Sequence, residues 1–213
     1  MPCCTKVHGL LRVGTNYTSA VLGKNFPTLV LESEEGAWKH GPLSFRPGFR
    51  YVIVVKNPYS WFLSFQHWEQ IHHRAPNDQP RLEFLSNPVT HPRFAATWQV
   101  SNPVDAWVKP LQSWLQYVND ENVRFVRYED LIGDFPATMR SLASLYGIEE
   151  SAREFVNIET RVDAWKTPRP RKELDLDFYR RRSFAADFTE EALTFIRTHI
   201  DQHLMQRFDY ALL

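Results

Sequence analysis

The chain has 213 residues, and its 25 lysines and arginines balance 25 aspartates and glutamates, so the formal net charge is zero. A chain without net charge has no general attraction to nucleic acid or to an anionic membrane, so any basic site must be local. The length suits one sizeable α/β domain, and we predict a single domain over residues 1–213.

The cysteines and the hydropathy bear on location. Cys3 and Cys4 are the only cysteines and are adjacent, so a mutual disulfide would close a strained ring. A reducing compartment is the simpler interpretation. The sequence has no apolar run of the roughly 20 residues that span a bilayer, and it lacks the basic and apolar segments of a signal peptide. We therefore predict a cytoplasmic protein with no membrane span and no nucleic-acid partner.

The segment 8–18 is the first candidate site, because its pattern predicts a strand, a tight turn at Gly14 and a helix capped by Thr15 or Asn16. The first N–H groups of a helix have no intrahelical acceptor and carry roughly half a positive charge, so they can bind a phosphate. Arg12 would add a full charge. An ordinary strand–turn–helix connection has the same pattern, so the segment alone does not decide between the two.

The rest of the chain alternates between strand-like and helix-like patterns, which is typical of α/β proteins. Strands are predicted around Val7, Leu10 and Leu11, and at 27–31, 51–55 and 123–128. Helices are predicted at 59–71, at 104–117, from 134 to Gly147 and at about 189–207. Pro110 is expected to bend or begin the second of these helices. We predict an α/β fold with a central, mostly parallel sheet flanked by helices.

Four polar side chains follow predicted strands. Lys39 and His40 come after the second strand and its turn, a common place for functional residues on an α/β scaffold. A surface loop anchored by Trp38 is the alternative. Lys56 ends the third strand and Ser64 lies in the next helix, so both can reach the crevice at the strand ends. A solvated strand end and a small packing residue are the alternatives for these two.

Two further stretches are irregular or basic. Between residues 72 and 103 the periodicity fades and prolines interrupt the chain, which predicts an irregular insertion with short helical pieces. Its histidines and arginines could contact an acceptor. The basic runs 165–172 and 180–182 favour a local anionic ligand, although such runs are often only solvated surface.

Four segments, in order along the chain, resemble motifs of the sulfotransferases that use 3′-phosphoadenosine 5′-phosphosulfate (PAPS). In that family a Lys/Arg-x-Gly-Thr loop binds the 5′-phosphosulfate, and the run 12–17 resembles it. A strand ending in Arg-Asn-Pro and a later Ser hold the 3′-phosphate, and the run 56–58 (Lys-Asn-Pro) with Ser64 is similar. The segments 125–131 and 208–210 also resemble the family.

The resemblance implies a three-layer, P-loop-like fold and a compact, bacterial-type member of the family. It implies PAPS as co-substrate, no metal, and transfer of the sulfuryl group to a hydroxyl or amine of a small-molecule or carbohydrate acceptor. The residues that it assigns to PAPS are Arg12, Val13, Gly14, Thr15, Asn16, Tyr17, Lys56 and Ser64, with Arg171 and Lys172 as a substitute for the basic loop of other members.

The resemblance also implies individual roles. Arg12 would stabilise charge on the sulfuryl group and its bridging oxygen, and Tyr17 stands where the family often has a Trp that stacks on adenine. We assign the general base to His40, which can titrate near neutral pH, while Lys39 would assist the leaving phosphate. The carboxylates of three glutamates stay open as alternative bases: Glu32, Glu34 and Glu35.

Two other functions remain open from the sequence. A P-loop nucleotide kinase would need the motif Gly-x-x-x-x-Gly-Lys-Ser/Thr, which this chain lacks. A non-catalytic nucleotide-binding protein would keep the fold and lose the chemistry. Lys56 departs from the family's usual Arg, because a lysine offers the 3′-phosphate a point charge and not a bidentate fork.

Overall fold

The structure is a computed structural model, and it describes residues 3–35, 37–148, 154–158, 160–162, 168–170, 178–179 and 183–213. The chain forms two units, each made of two segments. The first unit comprises residues 1–55 and 117–176, and the second comprises residues 56–116 and 177–213. The single domain over 1–213 stays a prediction.

A parallel sheet forms the centre of the first unit. In the described part of the chain its strands are β1 (Cys3–Gly9), β2 (Thr28–Val30), β3 (Phe49–Val55) and β4 (Val123–Arg127), in the order β2-β1-β3-β4. All three pairings are parallel. Gly9 is the register partner of Val54, so the carboxyl ends of β1 and β3 lie side by side. A separate antiparallel pair joins β5 (Thr160–Val162) to β6 (Pro168–Pro170).

Helices follow or connect the strands. In chain order they are α1 (Thr15–Asn25), α2 (Pro58–Ile71), α3 (Arg81–Ser86), α4 (Pro92–Trp98), α5 (Pro103–Leu115), α6 (Tyr128–Gly133), α7 (Phe135–Ala143), α8 (Glu190–His199) and α9 (Gln202–Arg207). Short 3-10 turns lie at Ser144–Tyr146 and Ser183–Asp187. The predicted fold class, α/β with a mostly parallel sheet flanked by helices, is confirmed. Within the described residues, no helix has both the length and the apolar character needed to cross a bilayer.

The two central strands differ in composition. In β3 the run 52–55 is fully buried, as its apolar, β-branched sequence predicts. In contrast, β1 ends at Gly9, so the prediction that Leu10 and Leu11 belong to the strand is wrong. Its inner positions include the buried polar residues Lys6 and His8, which a hydrophobic pattern does not assign to a strand.

An aromatic core stabilises the second unit. Asn57 caps α2 by accepting a hydrogen bond from the Tyr59 amide, and Pro58 takes the first helical position. The predicted second long helix begins at Pro103 and keeps Pro110 inside it, so Pro110 does not begin that helix. Fully buried aromatic side chains from α2, α4 and α5 fill this core: Trp61, Phe62, Phe65, Phe94, Trp107 and Trp114.

The C-terminal helical region is broken. The sequence predicted one helix over about 189–207, but Ile200 is extended and separates α8 from α9. The Asp201 carboxylate caps α9 by accepting hydrogen bonds from the amides of His203 and Leu204. A new cap at Asp201 ends the first helix although the apolar periodicity continues across the break.

Candidate active site

Helix α1 begins in a tight turn after β1. Arg12 and Gly14 have positive φ angles of 67° and 87°, and Gly14 is the helix N-cap. The prediction that Thr15 or Asn16 caps the helix is wrong, because the left-handed conformation of Gly14 starts the helix one residue earlier. A glycine cap has no side-chain oxygen to accept from the first helical amides, which carry the partial positive charge of the helix end.

Two glycines let this turn pack closely. A Cβ atom on Gly9 would lie 2.6 Å from Val13 Cγ2 and 2.8 Å from the Val54 carbonyl oxygen. A Cβ atom on Gly14 would lie 2.6 Å from Cε2 of Tyr128, the first residue of α6. Any side chain at either position would therefore push the turn away from β1 or from Tyr128. Local sequence patterns predict no role for Gly9 or for the Tyr128 ring, because both roles depend on contacts between distant segments.

The segment after β2 returns to the carboxyl end of β1. The Gly9 amide donates to the Lys39 carbonyl oxygen at 3.1 Å. The His40 ring places Nδ1 2.6 Å from the Gly9 carbonyl oxygen, and Trp38 contacts that ring edge-on. A carbonyl only accepts, so Nδ1 carries the proton and Nε2 is the basic nitrogen of the neutral imidazole.

Lys39 lies beside the first turn of α1. Its Nζ donates a hydrogen bond to Oδ1 of Asn16, the second residue of that helix. Burial lowers the Lys39 pKa from its usual value, and the charges of Glu32 and Glu34 oppose this shift. The structure thus brings together Lys39, His40 and the turn 12–16 at the end of β1.

The three glutamates considered as alternative bases lie on the preceding turn. Glu32, Glu34 and Glu35 are exposed, and a Glu35 carboxylate oxygen accepts from the Glu32 amide at 2.5 Å. His40, in contrast, is buried against the end of β1. This difference in burial favours His40, and its role as base stays a prediction.

Two buried side chains of β1 contact the same returning segment. Lys6 Nζ donates to the carbonyl oxygens of Glu32, Ser33 and Glu35. Burial lowers the pKa of Lys6 to about 8, against the charge of Glu35. Sequence reasoning missed this residue, although a lysine between Thr5 and Val7 in a strand is itself a signal.

The second side chain is His8, on the same face of β1 two residues further on. Burial, reinforced by the Lys6 charge, lowers the pKa of His8 to about 3, while a hydrogen bond with the Gly41 backbone opposes that shift. His8 is therefore neutral across the physiological range. His8 thus contacts the residue that directly follows the Lys39–His40 pair.

Tyr17, Arg171 and Lys172 are the remaining residues of the first unit that were predicted to contact PAPS. Tyr17 is buried, and its hydroxyl donates to Asn157 Oδ1 at 2.5 Å. Arg171 and Lys172 lie outside the described residues, as does the run 180–182. In the described ranges, no three His, Cys, Asp or Glu side chains are grouped so that they could hold a metal.

Lys56 and Ser64 lie in the second unit. Lys56 follows β3 directly in the chain and is buried, and its carbonyl oxygen accepts from the Trp107 indole at 2.9 Å. Its ammonium lies 5.6 Å from the centre of the Tyr179 ring, a cation–π contact that the sequence did not indicate. Ser64 is half-buried in the second turn of α2.

The chain belongs to the sulfotransferase domain family, since the family model described as "Sulfotransferase domain" matches residues 37–206, more than half of the chain. This confirms the family predicted from the motifs. The match includes Lys39, His40, Lys56 and Ser64 but not the run 12–17. A search of curated protein sequences finds no match.

Three solved structures show limited likeness. The mouse sulfotransferase SULT7A1 complexed with PAP is 16% identical, with 71% of this chain and 61% of that chain covered and a TM-score of 0.49. Retinol dehydratase in complex with androsterone and inactive cofactor PAP is 12% identical, with 68% of this chain and 60% of that chain covered and a TM-score of 0.46. A sulfotransferase from Alicyclobacillus acidocaldarius is 14% identical, with 97% of this chain and 99% of that chain covered and a TM-score of 0.45. The chain thus spans about three fifths of the length of the first two.

Proposed function

We propose that this chain transfers the sulfuryl group of PAPS to a hydroxyl or amine of a small-molecule or carbohydrate acceptor. The observation that carries the proposal is the meeting of Lys39, His40 and the N-terminus of α1 at the end of β1. Membership of the sulfotransferase domain family supports it. A cytoplasmic location and the absence of a nucleic-acid partner and of a metal remain predictions.

PAPS has two anionic ends, and we expect a separate set of residues to bind each of them. The turn 12–17 would hold the 5′-phosphosulfate, because helix amides after a glycine cap and the nearby Lys39 ammonium favour an anion there. Lys56 and Ser64 would bind the 3′-phosphate. Lys56 comes two residues after Val54, the register partner of Gly9, which supports this assignment. Tyr17 would contact the adenine, and Arg171 and Lys172 would also contact the nucleotide.

The side chains around β1 would then divide the chemistry. PAPS, when bound, supplies a sulfuryl group on a phosphate that can leave. His40 Nε2 takes the proton of the acceptor hydroxyl or amine as the new bond to sulfur forms and the bond between sulfur and the phosphate oxygen breaks. Lys39 and Arg12 stabilise the negative charge that develops on that oxygen. A general base contributes about 10²–10⁴-fold to such a reaction.

Radiolabelled PAPS tests the proposal with a panel of p-nitrophenol, octanol, octylamine and glucosamine. We expect the wild-type protein to label at least one acceptor class, and His40→Ala to lose about 10²–10⁴-fold in kcat. The control is His203→Ala, since His203 is exposed on α9. A wild-type protein that binds 3′-phosphoadenosine 5′-phosphate (PAP) but labels no acceptor would contradict the transfer and leave a non-catalytic nucleotide-binding protein.

A further inference from the structure

We propose that Lys6 is a positioning residue for the transfer site, whose ammonium holds the turn 32–35 and thereby keeps Lys39 and His40 at the end of β1. The inference rests on the proposed function for its consequence in catalysis. Lys6 does not touch the reacting groups in this proposal. It acts through the backbone of the returning segment.

The contacts of Lys6 use its full hydrogen-bonding capacity. Its Nζ lies 2.7 Å from the Glu35 carbonyl oxygen and 3.1 Å from that of Ser33, and it also donates to the carbonyl oxygen of Glu32. An ammonium has three N–H donors, so each donor has one carbonyl acceptor. The side chain is 2% exposed. The turn 32–35 is therefore wrapped around one buried cation.

A continuous path of hydrogen bonds leads from Lys6 to His40. The Ser33 carbonyl oxygen that accepts from Lys6 also accepts from the Lys39 amide, at 3.0 Å. The Lys39 carbonyl oxygen in turn accepts from the Gly9 amide, and the Gly9 carbonyl accepts from the His40 ring. The backbone groups of three residues, Ser33, Lys39 and Gly9, thus join Lys6 to the proposed base.

The energetics separate positioning from general stability. Burying an ammonium is costly, and removing it costs about 1–3 kcal/mol for each carbonyl oxygen that stays buried without a donor. The freed carbonyl oxygens of Glu32 and Glu35 belong to exposed residues, so water can reach them if the turn opens. Loss of the ammonium would then loosen the turn and misplace Lys39 and His40 while β1 stays folded.

The test compares Lys6→Met with Lys6→Arg and with the control Lys24→Met, where Lys24 is exposed in the last turn of α1. On the acceptor labelled fastest by the wild type, we expect Lys6→Met to lower kcat about 10–100-fold, as a displaced reacting group does, with a smaller loss of PAP affinity because only Lys39 of the displaced pair would contact the nucleotide. Lys6→Arg keeps the positive charge and the N–H donors, and we expect its kcat to be close to that of the wild type.

A spectroscopic readout separates this inference from the proposed function. Nitrogen NMR of the His40 ring is expected to show a proton fixed on Nδ1 in the wild type and in Lys24→Met, and mixed tautomers in Lys6→Met. If the wild type labels no acceptor, the proposed function fails, and the NMR comparison still tests whether Lys6 fixes His40. If the wild type labels an acceptor and Lys6→Met keeps its kcat and its fixed tautomer, the role of Lys6 is overturned alone.

Hydrogen exchange covers the case in which Lys6→Met does not fold. In the wild type the Lys39 amide donates to the Ser33 carbonyl, whose position Lys6 fixes. We expect this amide to exchange about as slowly as the amides of β1. Exchange at the rate of an open loop would overturn the inference.

Discussion

Nδ1 of His40 lies 2.6 Å from the carbonyl oxygen of Gly9, the last residue of β1. This contact sets the tautomer of a side chain that is 31 residues away in the chain, and it does so through a backbone carbonyl. The orientation of the proposed base therefore depends on how the end of β1 meets the segment 37–41.

Gly14→Ala is expected to destabilise the fold by about 2 kcal/mol. A left-handed alanine costs about 1–2 kcal/mol, and its Cβ would lie 2.6 Å from the Tyr128 ring. Denaturant unfolding measures the effect. In the double variant Gly14→Ala/Tyr128→Ala the clash with the ring disappears. The losses of unfolding free energy in the two single variants should therefore add up to more than the loss in the double variant.

The matched control is Gly133→Ala at the end of α6. A Cβ atom there would meet no atom within 4 Å. We expect an unchanged or slightly higher free energy of unfolding, by at most about 1 kcal/mol from helix propensity. Equal losses at Gly14 and Gly133 would show that the turn before α1 has no special constraint.

Lys56→Met is expected to weaken PAP binding by about 10–100-fold, because a hydrogen bond to a charged group contributes about 1.5–3 kcal/mol. Binding of adenosine 5′-monophosphate, which has no 3′-phosphate, should stay the same. Calorimetric titration of both nucleotides gives the comparison, with Lys109→Met on α5 as control. An equal loss for both nucleotides would assign Lys56 to something other than the 3′-phosphate.

Glu69 is expected to make the free energy of unfolding decrease as pH rises. It lines a cavity of about 510 Å³ in the second unit, where burial raises its pKa to about 7 and Arg74, 3.8 Å away, opposes the shift. Between its usual value of 4.5 and about 7 the folded state binds more protons than the unfolded state. The free energy of unfolding therefore decreases across this window through Glu69.

Urea unfolding at about pH 5 and about pH 8 tests this linkage. The wild type should lose more stability across that interval than Glu69→Gln, which has no carboxyl group at this position. Glu83→Gln, which changes an exposed glutamate lining the same cavity, should keep the wild-type dependence. Identical pH profiles for the wild type and Glu69→Gln would refute the raised pKa.

Lys6 gives a linkage of the opposite sign. Burial lowers its pKa from 10.5 to about 8, so between these values the unfolded state binds more protons and the free energy of unfolding rises with pH. Unfolding of the wild type and Lys6→Met at both ends of this window isolates the effect from other groups. We expect Lys6→Met to lack the rise and Lys24→Met to retain it. A rise of the same size in Lys6→Met would place the titration elsewhere.

The sequence predicts those parts of the site that local patterns encode. The run 51–55 is apolar throughout and is a buried strand, and a glycine before a helical periodicity correctly places the turn before α1. The helix cap was predicted one or two residues late, at Thr15 or Asn16, because both side chains are preferred caps and the pattern does not show that Gly14 itself takes the cap position. Placing Lys39 and His40 after β2 needed only the strand and its turn.

The remaining features depend on contacts between distant segments. Lys6 and His8 are buried because residues 32–35 and Gly41 pack against β1. The hydrophobic periodicity of β1 does not predict that another segment covers these two side chains. Tyr179, which lies against Lys56, is 123 residues further along and belongs to a stretch with no clear pattern. The break at Ile200 is different, because Asp201 is a capping residue whose signal was present but was outweighed by the apolar repeat.

Gly9 makes its contacts with Lys39 and His40 through its amide and carbonyl groups. Alanine scanning removes side-chain atoms and leaves these groups in place, so a scan of β1 would register Gly9 only as a steric position. Libraries of side-chain substitutions built to alter acceptor preference would also leave these backbone contacts of Gly9 unchanged. Insertions or deletions between β2 and Lys39 are expected to move the proposed base, because the Lys39 carbonyl and the His40 ring both contact the backbone of Gly9.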